Sequence, residues 1–415
     1  MTEAGATLHR HVAELYPICR SITGAGLRAT LRYIGAQIPL TLTEVPSGTR
    51  ILDWEVPPEW VVRGARLATL DGRTVVDFAD HTLHLLQYSE PVDRVVMRDE
   101  LDAHLFSLPE QPTLIPYRTS YYARNWGFCL PHATRRALRD DAYRVRIDTA
   151  LIDGSLTYGE CALPGEEPGE VLISAHCCHP SLANDNLAAI AIAIDLAQWL
   201  AARRRRFTWR FLFAPGTVGA IAWLAANRDA PQRVRHGLVL TCLGDPAAPT
   251  YKQSRRRDAA IDRYVAYVLG GARILPFAPT GYDERQFCSP GFDLPMGCLM
   301  RSPAGTFPEY HTSADNPDFV RPEAMADSLR VLQEIAILIE HDRPWRNTAP
   351  YGEPQLGRRG LYAEQDRMAL LWVLNLSDGR HTLLDIAERA GLPFASIRAA
   401  AQRLEHARLL EPAAA

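Results

Sequence analysis

Apolar residues recur at helical spacing along the first forty positions, Leu8, Val12 and Leu15 and then Leu27, Leu31 and Ile34, with Gly24 and Gly26 interrupting two predicted helices. From about 41 to 115 the texture changes: short β-rich runs at Arg66–Leu70, Thr74–Phe78 and His84–Gln87 are separated by Pro, Asp-Gly and Ser-Gly signals, which predicts a small inserted β domain. Between 143 and 345, apolar runs at Val171–Ala175, Trp209–Ala214 and Leu238–Leu243 alternate with helical stretches near 186–204, 218–228 and 259–270. Such alternation predicts an α/β domain, a mostly parallel mixed sheet with helices on both faces, built from 1–40 and 116–345. Ligands of such sheets gather at the carboxyl ends of strands. The loops that begin at His176, Pro215 and Gly244 are therefore the first places to look for chemistry.

Past Pro344 the pattern changes again. A linker rich in Pro, Gly and Arg (346–360) precedes three predicted helices, Gln365–Leu376, Thr382–Ala390 and Ser396–Ala407, the last two joined by Gly391-Leu392-Pro393. This is helix-turn-helix grammar and predicts a winged helix over 361–415.

With 415 residues, 47% apolar and 22% charged, the chain has ample material for a large core and no signature of disorder. A net charge of −3 gives no reason to expect non-specific attraction to nucleic acid or acidic membranes. No apolar run reaches the roughly 18 residues that span a bilayer, and the N-terminus lacks a secretory pattern, so a cytoplasmic protein is expected. The eight cysteines then read as reduced thiols, six of them scattered through apolar surroundings and none in a Cys-x-x-Cys pair.

The densest chemistry lies in His176-Cys177-Cys178-His179-Pro180-Ser181-Leu182-Ala183-Asn184-Asp185-Asn186, between an apolar strand and a long apolar helix. Imidazole, thiol and carboxylate are the groups that bind zinc, and a strand end followed by a helix start would hold them in fixed geometry. A turn with an N-cap and two small core cysteines would have the same composition, so the segment alone leaves both readings open. A second group, Glu309-Tyr310-His311-Thr312-Ser313-Ala314-Asp315, places another imidazole beside carboxylates able to orient it.

Together, Ala183 to Asn186, Gly244-Asp245, Asp283 to Phe287 with Gly291 to Pro295, and Tyr310 to Asp315 resemble, in order, the landmarks of the zinc-dependent aminopeptidases of the bacterial leucyl aminopeptidase and glutaminyl cyclase superfamily. More closely, the whole chain resembles bacterial proteins with an aminopeptidase-like domain, an inserted β domain and a C-terminal winged helix, some linked with polysaccharide or secondary-metabolite gene clusters. Leu15 to Thr23, Thr119 to Tyr122, Trp126 to Cys129 and His179-Pro180-Ser181 carry this closer resemblance.

The resemblance implies His179, Asp185, Asp245 and His311 as zinc ligands, with Asp185 in the place of the bridging carboxylate. His176 competes with His179 for one position; the His-Pro-Ser match favours His179. The departure lies at Pro215-Gly216-Thr217-Val218-Gly219. Here the superfamily resemblance would place a Glu-Glu pair, a general base and a ligand, and the closer family Pro-Glu-Thr-Ile-Gly. Gly216 removes the base and Thr217 removes the ligand, which favours one zinc over two. A general base contributes roughly 10²–10⁴-fold, so peptide hydrolysis needs a substitute.

Glu284 and Glu309 are the candidate substitutes, each with the alternative of a structural ion pair or a surface position. Arg255 and Arg256 are candidates to clamp a substrate carboxylate, and Tyr121, Tyr122 and Tyr310 to line the pocket. Two functions follow: a zinc hydrolase acting on an amide of a small peptide or aminoacyl conjugate, or a catalytically degenerate binding or scaffold protein in a biosynthetic pathway. The winged-helix region holds six Arg against seven acidic residues. That balance argues against DNA reading and for a protein partner or homo-oligomer.

Overall fold

A computed structural model describes residues 2–270, 273–361 and 367–413. The chain forms two compact units, residues 1–333 and 334–415.

The first unit is organised by an eight-stranded sheet whose strands are β1 (Thr41–Pro46), β2 (Ser155–Leu163), β3 (Glu170–His176), β4 (Thr208–Ala214), β5 (Val234–Leu240), β6 (Thr250–Lys252), β7 (Ile274–Leu275) and β8 (Met296–Met300). Their spatial order is β1-β2-β4-β3-β5-β8-β6-β7. The central four, β4, β3, β5 and β8, run parallel, while β2 pairs antiparallel with β4 and β6 with β8. Every residue of β3 is buried, as a strand covered on both faces requires. The helix Ala188–Ala201 carries neither Gly nor Pro, and all but four of its residues are buried, which its all-round apolar sequence dictates.

The predicted N-terminal helices form at Glu3–Leu15 and Ala25–Gly35, burying Leu8, Val12, Leu15, Leu27, Leu31 and Ile34. Gly26 lies within the second helix rather than between the two. A Cβ there would fall 1.8 Å from the Cys19 carbonyl oxygen, so the close approach requires glycine.

The inserted strands pair differently from the expected 41–115 boundaries. Thr41–Pro46 is an edge strand of the large sheet. The separate four-stranded sheet is ordered Thr74–Asp77, Glu59–Thr69, Ala142–Ile152, Val92–Met97, so it draws its longest partner strand from beyond residue 115. His84–Gln87 makes only isolated bridges, Leu85 with Phe128 and Gln87 with Thr119.

The second unit has helices Arg367–Leu376, Leu383–Ala390 and Phe394–His406 and a three-stranded antiparallel sheet of Asp378–Thr382, Pro344–Asn347 and Leu410–Pro412. Pro344–Asn347 thus contributes a strand where a linker was expected to begin. Gln365, the predicted start of the first helix, lies outside the described residues. Thr382 and Asp385 form a reciprocal capping box, and Gly391 ends the middle helix at φ 63°. No described helix is long and apolar enough to cross a membrane.

Candidate metal centre

Parallel pairing brings the critical loops together. His176 closes β3 opposite Ala214, the last residue of β4, and Ala175 pairs with Leu240, the last of β5. The loops after all three strands therefore leave the same edge of the sheet.

Ligand-type atoms of His176, His179 and Asp185 lie within 4.8 Å of one another. His176 Nε2 is 2.9 Å from Asp185 Oδ1, and His311 Nε2 is 3.0 Å from Asp185 Oδ2. The rings of His176 and His179 are 4.7 Å apart, and those of His179 and His311 5.4 Å. Three imidazoles thus surround one fully buried carboxylate. Burial disfavours ionising Asp185, yet the facing His179 and His176 and the hydrogen bond from His311 hold it well below the ordinary carboxylate range. Burial pulls His179 well below the usual imidazole value, leaving it neutral as a ligand must be.

His176 Nε2 and Asp185 Oδ1 are both buried, and despite their 2.9 Å separation neither completes a hydrogen bond of acceptable geometry. Two orphaned buried atoms directed at a common neighbourhood fit a cation better than they fit each other. His176 and His179 therefore both belong to the cluster, where the sequence favoured His179 over His176.

The surrounding loops are built to hold this arrangement. Asp315 accepts hydrogen bonds from the backbone N–H of Asn184 (2.5 Å) and Asp185 (3.0 Å), and its own carbonyl accepts from Ala183 N. Asn186 Nδ2 donates to the carbonyls of His176 (3.2 Å) and Leu240 (3.1 Å), tying β3 to β5 behind the cluster. The fully buried Arg20 donates from Nε to the His179 carbonyl at 2.8 Å, which gives the Leu15–Thr23 landmark a physical role. The Tyr282 ring stacks on His176 and the Tyr310 ring on His311, at 19° and 13°. Non-glycine residues at positive φ cluster here, Ser181, Thr217, Cys242 and His311, each a local strain that the surrounding contacts must hold.

A pocket of about 340 Å³ opens beside the cluster, lined by His176, His179, Cys178, Gly216, Asp283 and Arg285 together with Trp54, Tyr121, Tyr122, Tyr282 and Tyr310. The three tyrosines expected at the pocket, 121, 122 and 310, are there. Tyr117, not anticipated, hydrogen-bonds Tyr121 (2.7 Å) and sets its ring 5.0 Å from both His179 and His311. Cys178 accepts from Gly216 N at 3.3 Å, and burial pushes its thiol up to about 12, so it presents a neutral S–H.

Four expected roles are corrected by placement. Asp245 is saturated: its oxygens accept from Asn184 Nδ2, Ser302 N, Ser302 Oγ and Ala247 N, so it braces the residue before Asp185 instead of joining the cluster. Glu284 is fully buried and ion-paired with Lys252, turned into the core by the short helix Glu284–Phe287. Glu309 does not line the pocket; its backbone carbonyl caps Thr312. Arg255 and Arg256 are exposed and both bind Asp293.

The carboxylate that does face the pocket is Asp283. Its Oδ1 accepts the backbone N–H of Thr217 at 2.7 Å, placing an acid against the very loop that lacks one. Burial raises this carboxyl above the ordinary aspartate value, and nearby His176 opposes the rise. It sits one position before Glu284 within the landmark already noted.

A profile described as a domain of unknown function (DUF4910) matches residues 9–342. The chain belongs to this family. A winged helix-turn-helix profile covers 343–412. A Clostridium acetobutylicum protein named for polysaccharide biosynthesis and an aminopeptidase-like domain is 44% identical over 99% of this chain and 97% of its own length. A crystal structure from the same organism, of a protein named as a candidate peptidase, superimposes with a TM-score of 0.94 at 44% identity, covering 99% and 97% of the two chains. A zinc aminopeptidase from Bacillus subtilis shares the fold at TM-score 0.60 and 11% identity, over 81% of this chain and 95% of that one. The first unit thus has an aminopeptidase-like fold.

Proposed function

We propose that this DUF4910 member is a metal-dependent hydrolase that cleaves an amide bond beside a free amine in a small peptide or aminoacyl conjugate, with Asp283 as general base. The observation that carries it is the convergence of His176, His179 and His311 on Asp185, with His176 and His179 lining a pocket that a second carboxylate, Asp283, also lines. These four residues would hold the ion, and three imidazoles with a carboxylate suit a single zinc better than two. Zinc bound there would polarise the amide carbonyl and lower the pKa of water.

The chain's own residues supply the rest. Asp283 takes a proton from the attacking water and delivers it to the departing amine, the work that a carboxylate at position 216 would otherwise do. Thr217 N–H fixes the oxygen of Asp283 that is not used for this, since its hydrogen bond engages Oδ1. Tyr121, Tyr122 and Trp54 give the substrate a largely aromatic wall.

A second reading, a binding protein without turnover, is favoured by the missing carboxylates at Gly216 and Thr217. Turnover of aminoacyl anilides by native protein, after chelation and after zinc is restored, separates the two. Zinc-dependent release of anilide that falls in Asp283→Asn supports the hydrolase; zinc binding without release in native protein supports the binder. The Clostridium relative's name supports a biosynthetic setting. For the winged helix, a protein partner or self-association fits its balanced charge better than nucleic acid.

A further inference from the structure

Arg285 carries a guanidinium that the protein leaves under-used. It lines the pocket beside Asp283, yet among the described residues its one hydrogen bond is from Nη2 to Thr217 Oγ1 at 3.4 Å, and its Nε is buried without a partner. Among the described residues no carboxylate lies within ion-pair distance of it, Asp283 included. Other half-buried arginines are treated differently: Arg210 binds both Glu160 and Glu170, and Arg233 binds both Glu170 and Asp229.

A guanidinium presents five donors in a planar fork that matches a carboxylate edge-on. Leaving the Nε edge of that fork buried and unmet is unfavourable unless a ligand completes it. Of the other lining residues, Tyr282, Tyr122 and Trp54 offer aromatic faces, and the one acid is Asp283. Asp283 is already committed to Thr217 N–H on one oxygen.

We propose that Arg285 receives a carboxylate carried by the ligand of this pocket, so that its substrates are amides bearing a free carboxylate. As a statement about substrates this rests on the hydrolase reading; as a statement about binding it stands apart from it. The carboxylate has two possible sources, the C-terminus of the leaving group or an acidic side chain on the aminoacyl part.

Calorimetric titration of the zinc-loaded full chain distinguishes them. One pair is alanylglycine and alanylglycinamide, the other glutamyl anilide and glutaminyl anilide. The expected result is that, in at least one pair, the carboxylate member binds about 10–100-fold more tightly, the range of a charge-assisted hydrogen-bonded contact. Arg285→Gln brings that ratio near one, and Arg285→Lys keeps part of it. Because each ratio is internal to one protein sample, a loss of folded fraction does not mimic the effect. Equal affinity within both pairs, or a preference unchanged in Arg285→Gln, overturns the assignment. Turnover measured on the same compounds reports separately: preference without hydrolysis overturns the hydrolase reading alone, and hydrolysis without preference overturns the Arg285 assignment alone.

Discussion

Strands β3 and β4 lie side by side, parallel and in register, His176 opposite Ala214, but the loops that leave them are chemically unlike. Beyond β3 come two imidazoles and the carboxylate they surround. Beyond β4 come Pro215, Gly216 and Thr217, with no ionisable group. The hydrogen bond from Thr217 N to Asp283 shows how the bare loop is completed, by an acid from a distant part of the chain docked onto its backbone. On the proposed function, holding an ion and handling a proton are separate demands, the first placed on the β3 loop and the second on Asp283.

The largest effect should come from the β3 side. Asp185→Asn or His176→Ala removes a charge or a nitrogen from the centre of the cluster, and bound zinc measured by mass spectrometry should fall with turnover to background. Retained zinc in both variants would place the ion elsewhere. On the β4 side, Asp283→Asn should lower kcat by roughly 10²–10⁴-fold, the usual contribution of a general base, while zinc content is unchanged. A parallel loss of zinc would erase the division of labour.

The proposed base predicts a pH dependence. A base works when ionised, and burial raises the Asp283 carboxyl. The rising limb of kcat/KM should therefore lie above the ordinary aspartate value of about 3.9 and vanish in Asp283→Asn. The comparison sharpens further in the double variant Gly216→Glu with Asp283→Asn. A Cβ at Gly216 would meet Cys178 Sγ at 3.7 Å and His176 Cβ at 3.8 Å, ordinary contacts, so the side chain can start into the pocket. Tenfold or greater recovery over Asp283→Asn is expected, and no recovery would mean that the two positions are not equivalent. A smaller effect, about 10–100-fold in zinc affinity, should follow Asp315→Asn or Asn186→Ala, which loosen the supports of Asp185 and His176.

Much of this was legible in the linear chain. His179 and Asp185 stood out because ligand-type residues followed an apolar run, His311 through the family landmark it belongs to, and the parallel sheet followed from the alternation of apolar runs with helices. What was misjudged shares a cause: orientation within a short loop is decided by contacts remote in sequence. Of the adjacent acids 283 and 284, Lys252 draws the second into the core and Thr217 N–H holds the first at the pocket. Asp245 and Arg255 looked available until Ser302 and Asp293 claimed them. The inserted sheet was cut too short because its Ala142–Ile152 strand pairs with Glu59–Thr69 across some eighty residues, beyond the reach of local periodicity.

Tyr282 and Tyr310 lie nearly flat on two of the imidazoles, with ring centroids 5.5 and 3.9 Å away. Any change in the charge of those imidazoles must be felt by the phenol beneath. The protein accordingly carries its own optical gauge: occupancy by a colourless ion should be readable, without label or chromogenic substitute, as a near-ultraviolet tyrosine difference spectrum that disappears when both rings are replaced by leucine.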